Sequence, residues 1–136
     1  MPKAFILVLL IFPLFSSAQR TAKMIEGPRG KIGFYQYLPP HYNEQPETKH
    51  PLIIFLHGIG EKGTGSEEDL KKLNCCGIPK YIDLGHTMEF TWNGKKEGFV
   101  VLYPQLYSRY GTWETYFIDT MIAYAKKNLN IDTNRI

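Results

Sequence analysis

An apolar run from Pro51 to Leu56 proceeds without a polar break and stops abruptly at His57-Gly58. Such a run suits a strand buried on both faces, as in a parallel sheet covered by helices. Phe99 to Tyr103 is a second run of this kind, ending at Pro104. Lys31 to Leu38 alternates imperfectly and reads as a strand closed by Pro39-Pro40, and the polar stretch from His41 to His50 reads as a surface loop. Ser66, followed by Glu67, Glu68 and Asp69, has the form of an N-cap with acids in the first helical turn, predicting a short helix through Leu73. Pro79 opens a second short helix that reaches Leu84 and stops at Gly85, and Asn93-Gly94 marks the turn of a small hairpin. From Thr112 onward Trp113, Tyr116, Phe117, Met121, Tyr124, Ala125 and Leu129 recur at three- and four-residue spacing, one face of a helix roughly five turns long. That aromatic stripe is read as core packed on a sheet. Strand, loop, helix, strand and helix in this order predict an α/β fold.

The chain has 136 residues, 43% of them hydrophobic and 21% charged, a globular composition without low-complexity segments. The first residues read as an export leader. Lys3 supplies a short positive region, Ala4 to Phe15 an apolar core broken by Pro13, and Ser16-Ser17-Ala18 a small-residue cleavage site. The expected organisation is therefore a signal peptide over 1–18, cleaved after Ala18, and one domain portion over 19–136, in a secreted or periplasmic protein. The apolar core is too short for a comfortable membrane span. The formal net charge is +3, or +2 once Lys3 leaves with the leader. That balance excludes a basic nucleic-acid surface and gives no reason to expect membrane binding after cleavage.

The candidate chemistry lies in the turn after the first apolar run, where Gly58, Gly60 and Gly63 let the backbone approach a ligand closely. A glycine-rich turn at the carboxyl end of a buried parallel strand is where open α/β sheets place their sites. Taken literally, Gly58-x-Gly60-x-x-Gly63 matches a dinucleotide-binding fingerprint, with Asp83 near the position of a ribose-binding acid. Two features argue against it. Thr64 and Gly65 separate the glycines from the next helix, and Glu61 would put a carboxylate where a diphosphate must sit. An exported protein also has little access to a nicotinamide pool. No cofactor is expected.

The segment Leu56-His57-Gly58-Ile59-Gly60-Glu61-Lys62-Gly63 resembles the His-Gly-x-Gly-Glu-x-Gly form of the oxyanion loop in α/β-hydrolases, in the branch of secreted esterases and predicted peptidases. The order of the other segments fits as well: Tyr35 to Pro39, Gly98 to Gln105, and the helix from Thr112. The resemblance implies an α/β-hydrolase sandwich with a mostly parallel sheet covered by helices. It implies that the N–H of Ile59 is an oxyanion donor, that Gly58 and Gly60 permit the turn, and that His57 braces the loop. A structural strand-to-helix turn is the plain alternative for these glycines. Gln105 and Trp113, near the end of the second apolar strand, are candidates for a pocket wall or for packing.

The same resemblance exposes what is missing. The triad runs in chain order Ser, Asp or Glu, then His, with its serine in a G-x-S-x-G elbow. Ser16, Ser17, Ser66 and Ser108 lack that setting, so the triad residues are absent and the chain is expected to be truncated before the nucleophile elbow. It is read as the amino-terminal portion of an exported serine hydrolase acting on carboxylic esters or peptides, inactive alone. The whole protein's partner would be a small-molecule or polymer ester substrate. In the family's strand order the Pro51 to Leu56 strand lies between the strand ending at Pro104 and the next, missing one, leaving an exposed edge. A non-catalytic binding module or a decayed remnant on this scaffold is the alternative. Cys75-Cys76 are expected to be reduced or paired elsewhere, because a bond between neighbours closes a strained ring. With no Cys/His spacing pattern, no metal site is expected.

Overall fold

The computed structural model describes residues 19–136; the expected leader and its cleavage site lie outside the described residues. Six strands and three α-helices follow one another: β1 (Gln19–Gly27), β2 (Gly30–Leu38), β3 (Leu52–Ile54), α1 (Glu67–Leu70), α2 (Gly77–Asp83), β4 (Glu89–Trp92), β5 (Lys95–Gly98), β6 (Val100–Pro104) and α3 (Thr115–Asn128). Short 3-10 turns occupy Tyr42–Glu44, Ile59–Glu61 and Lys71–Cys75. The main sheet has the order β1-β2-β6-β3. No helix among the described residues is long and apolar enough to cross a membrane.

Helices cover both faces of this sheet, and the two-residue period of the strands decides which side chain meets which layer. Ile32 and Phe34 of β2, with Val100 and Leu102 of β6, pack against Phe117, Met121 and Ala125 of α3. Tyr35, Tyr37, Val101 and Tyr103 point the other way and pack with Leu70, Leu73 and Ile82 from the α1 and α2 region. Every residue of β6 is buried, as its unbroken apolar sequence predicts for a central strand.

The expectation of a mostly parallel sheet is corrected. β1 pairs antiparallel with β2, and β2 antiparallel with β6; only β3 and β6 run parallel. The cause is the hairpin of β1 and β2, which adds two antiparallel pairings to the sheet, β1 with β2 and β2 with β6. The first apolar run also differs from expectation. Its regular ladder is confined to Leu52–Ile54, and Ile53 to Leu56 are only half-buried, because β3 lies at the sheet edge. The chain beyond α3 runs beside that edge as far as Leu52. His50 N–H donates to Asn130 O at 2.9 Å, Asp132 N–H to His50 O at 2.8 Å, and Leu52 N–H to Arg135 O at 3.0 Å.

The helix expected from Thr112 begins at Thr115, with Glu114 as its N-cap. The helix expected through Leu73 is a single α-turn that tightens into the 3-10 turn Lys71–Cys75. Its start is as read: Ser66 Oγ accepts from the Asp69 N–H. Asn93-Gly94 joins β4 and β5 with φ of 49° and 76°, the left-handed pair that a two-residue hairpin turn requires. Gly33 of β2 lies against Gly65, backbone to backbone. A Cβ on Gly33 would collide with the Gly65 carbonyl, and Gly65 itself has φ of +74°. This contact seats the loop after β3 directly on the sheet.

Candidate functional site

Beyond Ile54 the chain leaves the sheet, and Gly58, extended at φ −82° and ψ −167°, leads into the 3-10 turn Ile59–Glu61. The first N–H groups of a helical turn precede its first internal hydrogen bond, so the Ile59 and Gly60 amides have no acceptor within the turn. Ile59 is 82% exposed. A Cβ at Gly60 would meet nothing within 4 Å, whereas one at Gly58 would lie 3.4 Å from a Glu61 carboxylate oxygen. The turn therefore stands free on its outer side and is held from beneath.

Three side chains hold it. His57 is 7% exposed and takes part through both ring nitrogens. Leu106 N–H donates to Nε2 at 2.9 Å, so the ring proton is on Nδ1, which donates to Gly58 O at 2.5 Å. Burial pushes the His57 pKa down, outweighing the Gly58 carbonyl and the Glu61 carboxylate, and the ring is neutral at pH 7. Its lone pair is already engaged, so His57 in this geometry positions the loop and offers no free basic nitrogen. Gln105, 0% exposed, is the second brace. Its Oε1 accepts from Gly65 N–H at 2.8 Å, and Nε2 donates to Glu61 O at 2.8 Å and Asp69 O at 2.9 Å. Lys62 is the third, donating to Tyr110 O at 2.8 Å and so tying the loop to the segment after β6.

That second segment supplies the opposite wall. Trp113 donates its indole N–H to His57 O at 3.0 Å and meets the His57 ring edge-on, with centroids 5.0 Å apart. Between the segments is an open hollow of about 210 Å³ lined by Gly58, Ile59, Lys62, Leu106, Thr112 and Trp113, with His57 at its base. It is smaller than the 300 Å³ or so at which ligand pockets usually begin. The hollow suits a small group, not a whole drug-sized ligand.

Of the residues singled out from the sequence, the structure brings together His57, Gly58, Ile59 and Trp113 around this hollow. Gln105 does not line it. Its amide faces inward and is consumed by three backbone groups, a role that its place after Pro104 did not signal. Sequence reasoning also missed Lys62 and Leu106, whose contributions depend on contacts more than 40 residues apart in the chain. The dinucleotide alternative loses its geometry: the next helix, α1, starts only at Glu67, and Asp83 closes α2, paired with Arg20 at 2.7 Å. Beneath the turn, the Glu61 carboxylate and the thiols of Cys75 and Cys76 place three ligand-type atoms within 4.8 Å of one another.

No protein-family profile matches the sequence, and neither does any curated protein. Solved structures do match. A thermostable esterase aligns over 86% of this chain and 32% of its own, with 22% identity and a TM-score of 0.55. A ferulic acid esterase aligns over 86% of this chain and 46% of its own, with 15% identity and a TM-score of 0.53. The chain thus has an α/β fold shared with esterases, and it spans less than half the length of these two.

Proposed function

We propose that this chain is the amino-terminal portion of an exported serine hydrolase that cleaves carboxylic esters. In this reading the turn after β3 forms part of the oxyanion hole, with the Ile59 N–H as a donor. The supporting observation is the 3-10 turn Ile59–Glu61, whose leading amides have no acceptor inside the turn, set beside an open hollow on an esterase-like scaffold. Acyl transfer develops negative charge on a carbonyl oxygen, and fixed backbone donors stabilise that charge without reorganising. His57, Gln105 and Lys62 fix the donors from below and leave their outer side to substrate. The serine, acid and histidine of the reaction would come from sequence beyond Ile136. Secretion follows from the leader read over residues 1–18, and the substrate is an ester of a small molecule or a polymer.

Proline at position 59 tests the reading. Gly58 already has the extended conformation favoured before proline, and the first position of a helical turn tolerates its missing N–H. In the protein extended through the sequence encoded after Ile136, Ile59→Pro is expected to lower kcat on an aryl ester by about 10²–10³-fold. An unchanged kcat would refute the Ile59 N–H as a donor, and a stop codon where the G-x-S-x-G elbow is expected would favour a non-catalytic module on the same scaffold.

A further inference from the structure

Glu61 converges with the adjacent pair Cys75 and Cys76 although 14 positions separate it from Cys75, and none of them is required by the hydrolytic reading. Glu61 Oε1 lies 3.3 Å from Cys75 Sγ, and the two sulfurs are 2.8 Å apart. All three ligand-type atoms fall within 4.8 Å of one another, and both thiols are exposed, so an ion in solution has access. We propose that these residues form a three-ligand site for a thiophilic divalent cation, Zn²⁺ in the first instance, that links the turn Ile59–Glu61 to the start of α2.

Tetrahedral zinc with sulfur at about 2.3 Å and oxygen at about 2.0 Å sets its ligand atoms about 3.5–3.8 Å apart. The Glu61–Cys75 spacing is already close to that range, and the two exposed thiols need open by only about 1 Å, within the reach of side-chain rotation. The fourth position is left to solvent. Without a cation, the neutral Cys75 thiol donates to the Glu61 carboxylate. Hydrogen bonding to Cys76, then burial and the Glu61 carboxylate, push the Cys75 thiol up to about 12. A bound dication reverses this preference by favouring the thiolates, and binding then releases both thiol protons to solvent: M²⁺ plus two thiols and a carboxylate gives a complex of net charge −1 plus two H⁺.

The test uses the full chain, reduced with a phosphine and then freed of reductant and metal under argon. Co²⁺, as the spectroscopic probe, is expected to bind with one-to-one stoichiometry, giving a sulfur-to-cobalt charge-transfer band in the near ultraviolet and releasing two protons. Zinc should displace it. X-ray absorption of the wild-type zinc form should show two sulfurs and at least one oxygen around the metal. Cys75→Ser and Cys76→Ser should each reduce the band and weaken Zn²⁺ uptake at least tenfold, and Glu61→Gln should weaken uptake while keeping the band. A first shell of nitrogen and oxygen only, a shell of four sulfurs shared between chains, or a band unaltered in Cys76→Ser would overturn the site. So would failure of the freshly reduced protein to bind cobalt.

Discussion

Replacing Gln105 with methionine preserves most of the side-chain volume and deletes every hydrogen bond that the amide makes. Gly65 N–H then loses its acceptor in a buried site, and the carbonyls of Glu61 and Asp69 lose their donor in partly buried ones. An orphaned buried group costs about 1–3 kcal/mol, with the lower end appropriate where water can reach. One buried and one partly buried orphan, with the Asp69 carbonyl left only its Lys71 N–H, therefore amount to about 3–4 kcal/mol, a large fraction of the stability of an ordinary domain. With a urea slope of about 2 kcal/mol per molar, the unfolding midpoint of Gln105→Met should fall by about 2 M relative to wild type. Tryptophan fluorescence is a suitable probe, because Trp113 is bonded to the braced loop itself. Gln105→Glu offers Gly65 an acceptor but supplies no donor and buries a charge, so it should be no more stable than the methionine variant. A midpoint for Gln105→Met within about 0.3 M of wild type would refute the bracing role.

A Cβ on Gly63 would lie 2.5–2.6 Å from the Gln105 amide atoms, so Gly63→Ala should cost about 1–3 kcal/mol in thermal unfolding, whereas Gly60→Ala, facing open space, should stay within about 0.5 kcal/mol. The His57 pKa is depressed by burial below its unfolded value near 6.5; its contribution to stability is therefore complete above pH 6.5 and lost as pH falls through the folded pKa. Nitrogen-15 spectra should show a neutral ring protonated at Nδ1 at pH 7, and a charged ring there would contradict the assigned hydrogen bonds. Asp69 is held at about 2 by Lys72 and by the side chain and backbone N–H of Thr64, so the stability it provides is present above about pH 4 and disappears between about 4 and 2. Asp69→Asn should flatten that part of the stability profile, which urea midpoints measured at each pH will reveal.

What could be read from the sequence was whatever repeated or punctuated. β6 followed from five consecutive apolar residues, the hairpin of β4 and β5 from Asn93-Gly94, and the start of α1 from Ser66 and the acids behind it. β1 escaped notice because nearly all of its side chains are exposed or half-buried, leaving no alternation to detect. The mostly parallel sheet came from the family resemblance, and no local pattern in β2 or β6 shows that these two strands pair antiparallel. The start of α3 was placed too early because Trp113 fits the helical spacing, yet its indole is committed to His57 O and lies outside the helix. Around the candidate site, the glycine spacing identified the turn. The supports beneath it are long-range pairings, such as Gln105 with Gly65 and Leu106 with His57, and no local pattern encodes those partners.

The contact between Gly33 and Gly65 has a mechanical consequence. Because main chain meets main chain there, no rotamer can absorb a displacement, and the joint behaves as a stiff weld between the front hairpin and the segment carrying Thr64 to Ser66. A shift of either partner must be followed by the other, so substitutions on β1 beside Gly33, such as at Met24, bear on the alignment of the turn Ile59–Glu61.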